Sequence, residues 1–314
     1  MQLFLLNTTI YILAFIAIWI GAGLIVDSAS RFSERLKFSS FAFSFIFLGL
    51  MTTTPEFSVG LQAVKDNNPE IFTGNLLGGI IVLFLLVMPL LAVLGNGINL
   101  KHDLSERTLA ILLFILAFPS FLILDGKITN LEGLTVIALY IILIFLVERR
   151  KGIFDNSNEK LFNIKSYSHK DILKILIGFV ALFMSSGVVA EKTIYFADFF
   201  KISAFYIGLL VIAIGTNIPE ISIAVRSAIE GKKDIALGNY LGSASANTLL
   251  FGFFTLLSER KFLTANNFHI TFIFTALALL LFFVLSYKKR YISRRSGFIL
   301  LLLYAVFVVV ELAA

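Results

Sequence analysis

Two glutamates with matching neighbours are the residues of this sequence best suited to chemistry. Glu56 ends the stretch Thr-Thr-Thr-Pro-Glu, and Glu220 ends the stretch Thr-Asn-Ile-Pro-Glu in the second half of the sequence. Each lies deep in an apolar run, directly after a proline and four residues after a threonine. One carboxylate in such a run can be structural, but two at equivalent positions indicate an ion or proton site, because uncompensated charge is costly there.

A Gly-Asn pair follows each glutamate at the same spacing. The two pairs, at 74–75 and 238–239, are separated by the same number of positions as Glu56 and Glu220, and we call this separation the repeat offset. When residues 21–83 are aligned on residues 185–247 without a gap, 14 of 63 positions are identical. We expect these glycines, with Gly78 and Gly242 four residues later, to allow close helix approach, and the asparagines to cap or bridge broken helix segments. The chain therefore contains an internal repeat.

Membrane-spanning helices must position these residues. The chain has 314 residues, of which 58% are hydrophobic and 15% charged, with a mean hydropathy of +0.93. This composition is atypical of a soluble domain. Its continuous apolar runs of about 20 residues are typical of transmembrane helices. We predict an all-α membrane protein with ten spans, at 4–26, 41–64, 70–97, 106–125, 130–147, 172–195, 203–228, 234–257, 267–287 and 296–313.

One polar segment divides these spans into two sets of five. We predict a first five-helix repeat at 1–147, a cytoplasmic linker at 148–171 and a second five-helix repeat at 172–314. An odd number of spans gives the halves opposite topology, an arrangement found in many secondary transporters with midplane binding sites. Glu56 and Glu220 would then face each other from antiparallel helices.

The distribution of charge orients the chain. If the N-terminus is outside, 20 of the 26 Lys and Arg residues fall on inner loops or in the linker. Positive residues are enriched on cytoplasmic loops, so we expect a multi-pass protein of the cell membrane with both termini extracytoplasmic. Loop topology explains the net charge of +6 better than a nucleic-acid partner does. The absence of cysteine excludes thiolate metal sites and thiol catalysis.

The residues around the glutamates offer oxygen ligands. Pro55 and Pro219 each lack a backbone donor and would free the carbonyls of Met51 and Gly215. Each threonine hydroxyl shares a helical face with its glutamate. A ligand set of carboxylates, hydroxyls, amides and carbonyls suits hard cations such as Ca²⁺, Na⁺ or Mg²⁺.

Together, the paired Thr-x-x-Pro-Glu and Gly-Asn-x-x-Gly signals resemble the alpha-repeats of the cation/Ca²⁺ antiporter superfamily. The Pro-Glu form is most similar to its sodium/calcium exchanger family, of the prokaryotic type. The resemblance covers essentially the whole chain, although Met51 stands where a glycine is usual. It implies exchange of Ca²⁺ for Na⁺ by alternating access, without cofactor or enzymatic activity, with helices 1 and 6 sliding past a core of spans 2, 3, 7 and 8.

The resemblance also implies a ligand set. The implied Ca²⁺ ligands are Glu56, Glu220, Thr52 and Thr216. The implied Na⁺ ligands in flanking sites are the carbonyls of Gly49 and Ala213 and the side chains of Thr53, Asn217 and Ser243, and Asn247 holds a further polar position. Their first-copy counterparts Gly79 and Leu83 have no side-chain oxygen. Two carboxylates neutralise one Ca²⁺ or two Na⁺, so we expect fewer than three Na⁺ per Ca²⁺, or the use of protons.

Two other readings stay open at this point. One is a H⁺-coupled Ca²⁺ or cation exchanger, in which the carboxyl groups carry protons. The other is a non-transporting homologue, a sensor or scaffold with degenerate sites. A channel is disfavoured because no selectivity-filter-like ring of carbonyls is visible. An enzyme is disfavoured because no polar catalytic cluster or nucleotide-binding loop is present.

Overall fold

The computed structural model is mostly helical, and its helices follow the apolar runs of the sequence. The residues that it describes are 2–36, 40–99, 105–151, 169–199, 207–259, 261, 268–289 and 291–313. Most of the predicted linker, residues 152–168, lies outside them. In chain order the helices are α1 (Gln2–Leu36), α2 (Ser40–Phe43), α3 (Gly49–Thr52), α4 (Thr54–Lys65), α5 (Pro69–Val82), α6 (Met88–Leu94), α7 (Glu106–Leu122), α8 (Asn130–Lys151), α9 (His169–Phe199), α10 (Ala213–Thr216), α11 (Ile218–Ile229), α12 (Lys233–Leu257), α13 (Phe268–Lys289) and α14 (Arg294–Ala313).

Seven helical stretches in the described part of the chain are long and apolar enough to cross a membrane. They are Phe4–Ile25, Pro69–Leu94, Glu106–Asp125, Asn130–Val147, Ile235–Leu257, Phe268–Ser286 and Arg294–Ala313. The predicted spans 41–64 and 203–228 fall on runs of short helices, and the predicted span 172–195 lies inside α9. Large apolar side chains cover the outside of the bundle, as expected of a surface that faces lipid. The count of ten spans stays a prediction.

Two broken helices lie at the centre of the fold. The first broken helix comprises residues 40–65, where a π-helical segment (Ser44–Leu48) joins α2 to α3 and a break at Thr53 precedes α4. The second broken helix comprises residues 207–229, where a π-helical segment (Ile207–Ile212) leads into α10 and a break at Asn217 precedes α11. π-helical segments are rare and occur often at functional sites.

The two breaks have the same backbone geometry. Thr53 has φ −81° and ψ 9°, and Asn217 has φ −84° and ψ 8°. In both copies a proline stands in the first turn of the helix that follows. Proline fits this place because its missing N–H is not needed there. The repeated sequence therefore produces a repeated interruption.

Two continuous helices pack against the broken ones. The first partner helix is Pro69–Leu94, which runs through α5, a π-helical segment and α6, and the second partner helix is α12. Most residues along the central part of both are buried. Each partner helix packs against the broken helix of the other half, so the two halves interlock. The four elements form the buried centre of the molecule.

Glycines allow this close approach. A Cβ atom on Gly242 of the second partner helix would overlap the backbone of Phe45, and one on Gly78 of the first partner helix would overlap the backbone of Leu209. The repeat offset relates Phe45 to Leu209, and it relates Gly78 to Gly242. The glycine contacts expected from the sequence are therefore present, and they come in a matched pair.

Outside this centre, α1 packs along α9. Gly21 and Gly178 face each other at the crossing, where a Cβ on either would lie within 3.0 Å of the other's carbonyl oxygen. On another edge, the short strands β1 (Ile98–Asn99) and β2 (Tyr291–Ile292) pair antiparallel. The strand pair connects the loop after the first partner helix to the segment before α14.

Candidate cation site

The two breaks bring the glutamates into the protein interior. Glu56 stands in the first turn of α4 and Glu220 in the first turn of α11, and they are 0% and 1% exposed. The positive end of a helix dipole favours negative charge at both positions. Thr52, one turn before Glu56, contacts Ser243, which in turn contacts Glu220. The structure thus brings the two principal predicted ligands together.

A chain of hydroxyl contacts surrounds Glu220. Ser243 of the second partner helix donates a hydrogen bond of 3.0 Å to Glu220 Oε1. The Ser243 hydroxyl lies 2.8 Å from the hydroxyl of Thr52, which also faces Glu220. Three predicted ligands from three different elements therefore lie together in one chain of contacts.

The surroundings of Glu56 are poorer in partners. The Thr216 hydroxyl faces Glu56, but its hydrogen bond of 3.1 Å goes to Asn75 Oδ1. Both carboxylate oxygens of Glu56 are buried and have no hydrogen-bond partner among the described residues. The counterpart of Ser243 on this side is Gly79, which has no hydroxyl to donate. The two glutamates therefore lie in equivalent backbone positions with unequal partners.

Two Thr–Asn contacts tie the broken helices to the partner helices. Thr52 Oγ1 lies 3.2 Å from Asn239 Oδ1, and Thr216 Oγ1 lies 3.1 Å from Asn75 Oδ1. The two contacts are equivalent, because the repeat offset relates Thr52 to Thr216 and Asn75 to Asn239. The sequence predicted only that these asparagines cap or bridge helices, and the structure places them as bridges beside the site. Asn75 and Asn239 lie at the same spacing after Glu56 and Glu220, and this spacing could have predicted that both asparagines belong to the site.

The other predicted ligands differ in what they contact. The Gly49 carbonyl lies 3.5 Å from the Thr52 hydroxyl, while the Ala213 carbonyl accepts hydrogen bonds from both the side-chain amide and the backbone N–H of Asn217. The Thr53 hydroxyl donates to the Leu50 carbonyl at 3.0 Å and so turns toward its own helix.

Further along the second partner helix, Asn247 is buried, and neither atom of its amide has a partner in the part of the chain that the structure describes. Ser245, on the same helix, donates to the Leu241 carbonyl at 2.8 Å.

One expectation about freed carbonyls needs correction. The sequence predicted that Pro55 would leave the Met51 carbonyl free to face an ion. The hydroxyl of Thr54 donates to that carbonyl at 2.6 Å, so it is already paired. In the second copy Ile218 takes the position of Thr54 and has no hydroxyl. The backbone N–H of Asn217 contacts the Gly215 carbonyl, as the backbone N–H of Thr53 contacts the Met51 carbonyl.

The unpaired polar atoms cluster around the glutamates. Among the described residues the buried side-chain atoms without a partner here are both oxygens of Glu56, Glu220 Oε2, Asn75 Nδ2, Asn217 Oδ1 and the amide of Asn247. Leaving one buried carboxylate uncompensated costs several kcal/mol, and a bound cation would remove that cost. In the described ranges no group of three or more His, Cys, Asp or Glu occurs, so two carboxylates and neutral oxygens make up the set. Such a set suits a hard cation.

Comparisons with known proteins cover nearly the whole chain. The sequence pattern of the family described as "Sodium/calcium exchanger protein" matches residues 6–147 and 170–313. The chain is 26% identical to the inner membrane protein YrbG of Escherichia coli (strain K12), over 74% of this chain and 75% of that protein. It is 24% identical to the sodium/calcium exchanger MaX1 of Methanosarcina acetivorans, with 97% and 98% of the two chains covered. A solved structure of the sodium-calcium exchanger NCX_Mj superposes with a TM-score of 0.79 at 22% identity, over 97% of this chain and 98% of that one, which shows a common fold.

Proposed function

The chain belongs to the sodium/calcium exchanger protein family, and on this premise we propose that it exchanges Ca²⁺ for Na⁺ across the membrane. The observation that carries the proposal is the pair of buried carboxylates, Glu56 and Glu220, whose remaining oxygens have no partner within the described residues. Their position between two broken helices supports a cation site, as does the all-oxygen chemistry around them. The family is one of exchangers, so we propose ions as the substrates, with neither a cofactor nor an enzymatic step.

In this proposal the two kinds of ion occupy the site in turn. One Ca²⁺ neutralises both carboxylates, with Thr52 and Thr216 contributing hydroxyl oxygens. When Na⁺ ions replace it, the same carboxylates are neutralised and Ca²⁺ is displaced. The proposed flanking ligands beside Glu220 are the Gly49 carbonyl and Ser243. The other ligands that the resemblance implies are the Ala213 carbonyl, Thr53, Asn217 and Asn247. Competition for one set of charges is what couples the two ion movements.

We infer the surrounding architecture from the repeated contacts. Ten spans in two inverted repeats, residues 1–147 and 172–314, joined by a cytoplasmic linker at 148–171, would place both termini outside the cell. Pairs of contacts related by the repeat offset support two equivalent halves, for example Gly78 with Leu209 and Gly242 with Phe45. In the alternating-access step, α1 and α9 would slide together past the central four elements, and their close packing on each other supports this pairing.

A proton-coupled exchanger is the second candidate. The specific observation in its favour is that neither oxygen of Glu56 has a hydrogen-bond partner in the described structure. A carboxyl group in such a place can be neutralised by a proton as well as by a metal ion. A proton on Glu56 needs no further oxygen ligand, so the absence of a hydroxyl at Gly79, the counterpart of Ser243, would not prevent proton coupling.

Isotope flux separates these proposals. The purified protein is reconstituted in liposomes loaded with ⁴⁵Ca²⁺, and either a Na⁺ gradient or a pH gradient is imposed alone. Release of ⁴⁵Ca²⁺ under the Na⁺ gradient, abolished in Glu220→Gln, supports Na⁺/Ca²⁺ exchange. Release under the pH gradient only would replace that proposal with proton coupling. Absence of release under both, with the protein shown to be folded, would favour a homologue that does not transport.

A further inference from the structure

The two halves of the candidate site can be compared with each other, because the repeat offset gives each position in one half a counterpart in the other. The backbone breaks, the glutamates and the Thr–Asn contacts all correspond. Differences in side chains between the halves therefore reveal which ligands one half has and the other lacks.

The half around Glu220 is rich in oxygen. The hydroxyls of Thr52 and Ser243 lie 2.8 Å apart, and Ser243 contacts the carboxylate at 3.0 Å. The Gly49 carbonyl is at the long distance of 3.5 Å from the Thr52 hydroxyl. Both hydroxyls can rotate to present lone pairs to a cation, so this half offers a carboxylate, two hydroxyls and a carbonyl.

The half around Glu56 has lost the corresponding ligands. Gly79 replaces the serine. The Ala213 carbonyl, counterpart of the Gly49 carbonyl, already receives a 2.8 Å hydrogen bond from the amide of Asn217 and a second bond from its backbone N–H. Glu56 and Thr216 keep their side-chain oxygens, and the side chains that adjoin Gly79 are the amides of Asn217 and Asn247.

Amide groups fill the space that a serine would occupy. A Cβ atom on Gly79 would lie 2.6 Å from Asn247 Nδ2 and 3.1 Å from Asn217 Nδ2. The glycine therefore gives room to two asparagine side chains from the opposite half. A cation beside Glu56 would have to displace them, whereas a cation beside Glu220 meets hydroxyl oxygens.

We propose that the Glu220 half retains a flanking position for a monovalent cation and that Gly79, with the Asn217 and Asn247 amides, removes the equivalent position beside Glu56. The protein then moves two monovalent cations for each divalent cation, one at the centre and one beside Glu220. Two monovalent charges or one Ca²⁺ balance the two carboxylates equally, so the cycle transfers no net charge across the membrane. This inference rests on the proposed exchange function and specifies its stoichiometry.

The direct test needs no variant. In proteoliposomes with the membrane potential set by K⁺ and valinomycin, the Na⁺ gradient is varied until net ⁴⁵Ca²⁺ flux is zero. The proposal predicts that the zero-flux condition is the same with and without an imposed potential. If three Na⁺ moved per Ca²⁺, the balancing Ca²⁺ ratio would change about tenfold for every ~59 mV, and the proposal would be overturned.

The outcome is distinguishable from failure of Na⁺ coupling. If only a pH gradient drives ⁴⁵Ca²⁺ flux, the Na⁺/Ca²⁺ proposal fails, and the same zero-flux measurement is made with the pH gradient. Independence from the membrane potential then still supports two monovalent ions per cycle. If neither gradient drives flux, displacement of bound ⁴⁵Ca²⁺ by Na⁺ from the purified protein decides instead. Two ²²Na⁺ bound for each ⁴⁵Ca²⁺ released would support the proposal, and three would contradict it.

A matched pair of variants tests the role of Gly79. Gly79→Ser adds volume and a hydroxyl, whereas Gly79→Ala adds the volume alone, and in both the flexible Asn247 side chain must move aside. We expect Gly79→Ser to lower the Na⁺ concentration that displaces half of the ⁴⁵Ca²⁺ by about tenfold relative to Gly79→Ala, as one added charge-assisted contact should. Equal behaviour of the two variants would overturn the assignment.

The reciprocal variant keeps the test valid if neither of these proteins folds. Ser243→Ala adds no volume and removes the hydroxyl that contacts Glu220. It should raise the Na⁺ concentration for half-displacement by about tenfold. No change in that concentration would mean that the Glu220 half holds no flanking cation.

Discussion

The hydroxyl groups of Thr52 and Ser243 lie 2.8 Å apart in the protein interior, although 191 residues separate them in the sequence. Thr52 ends the first half of one broken helix, and Ser243 lies on a continuous helix from the other half of the chain. Ser243 in turn contacts Glu220, so one chain of polar contacts connects three elements. The equivalent chain in the other half stops at Gly79. The two sides of the site therefore have the same backbone geometry but different side-chain ligands.

Neutralising either glutamate should abolish Ca²⁺ transport. In Glu56→Gln or Glu220→Gln the site keeps its shape but loses half of its negative charge, and a divalent cation is no longer compensated. We expect ⁴⁵Ca²⁺ flux in proteoliposomes to fall at least 100-fold, equivalent to about 2.7 kcal/mol or more of lost binding. Glu259→Gln, a change of the same kind at an exposed position, is the control and should transport normally. Normal flux in either of the first two variants would remove that carboxylate from the site.

The hydroxyl of Thr52 should matter more than its volume. Thr52→Val keeps the side-chain shape and removes contacts to Ser243 and Asn239, while Thr52→Ser keeps the hydroxyl. We expect the valine variant to bind ⁴⁵Ca²⁺ about tenfold or more weakly, because it loses one ligand and leaves buried polar partners unsatisfied. The serine variant should bind within a few-fold of the parent. If both variants bind equally well, Thr52 is not a ligand.

The interlocking of the two halves should depend on Gly78 and Gly242. An alanine at either position would place its Cβ against the backbone carbonyl of the facing helix, at Leu209 or Phe45. We expect each change to lower the free energy of unfolding by roughly 1–3 kcal/mol, measured as a lower melting temperature in detergent.

Gly187 provides the matched control for these substitutions. It lies in α9, and nothing within 4 Å would meet an added Cβ. Gly187→Ala should leave stability unchanged or raise it by up to about 1 kcal/mol, because alanine is the better helix former. Equal destabilisation at all three glycines would indicate that close packing is not the cause.

An ion cluster fastens α1 to the turn before the second partner helix. Lys232 lies 3.3 Å from Asp27 and 2.9 Å from Glu230, which also pairs with Arg226. Burial would raise the pKa of Asp27, but its ion pair with Lys232 and the nearby charge of Arg226 outweigh it and lower that pKa. Burial would lower the pKa of Lys232, but the two carboxylates outweigh it and raise that pKa.

These directions give the cluster a broad pH window. The contribution of Asp27 is lost only when the pH falls from its unfolded pKa of about 3.9 through the lowered folded value, and that of Lys232 only when the pH rises from about 10.4 through the raised value. Lys232→Met should therefore lower stability by less than about 1 kcal/mol, equally at about pH 5.5 and pH 8.5 and less at high salt. Lys65→Met is the control. A larger effect at one of these pH values would mean that another titrating group controls the cluster.

Much of the candidate site could be predicted because its two motifs, Thr-x-x-Pro-Glu and Gly-Asn-x-x-Gly, each occur twice in the sequence. Glu56 and Glu220 stand out from apolar runs, and their shared spacing from Thr and Pro marks them as equivalent before any fold is known. The break in each helix follows from proline, which has no N–H to donate. The glycines of the Gly-Asn signals predicted close helix contacts, and Gly78 and Gly242 make them.

The remaining features depend on tertiary contacts that no local pattern contains. Thr54 turns back to the Met51 carbonyl, and this rotamer choice has no signal in the sequence. The sequence shows that Gly79 has no hydroxyl. It does not show that the amides of Asn217 and Asn247 lie against Gly79, because these contacts depend on how the two halves of the chain pack together. The same holds for Asn75 and Asn239, whose partners lie on the opposite half.

The most direct measurement is the position of a bound divalent cation. Crystals of the protein soaked in Sr²⁺, which scatters anomalously and has the charge and ligand preference of Ca²⁺, would locate it without assumptions about transport. The account predicts one strong anomalous peak between Glu56 and Glu220, with carboxylate and hydroxyl oxygens at about 2.3–2.6 Å or slightly more. A peak elsewhere, with both carboxyl groups left without a cation, would contradict it.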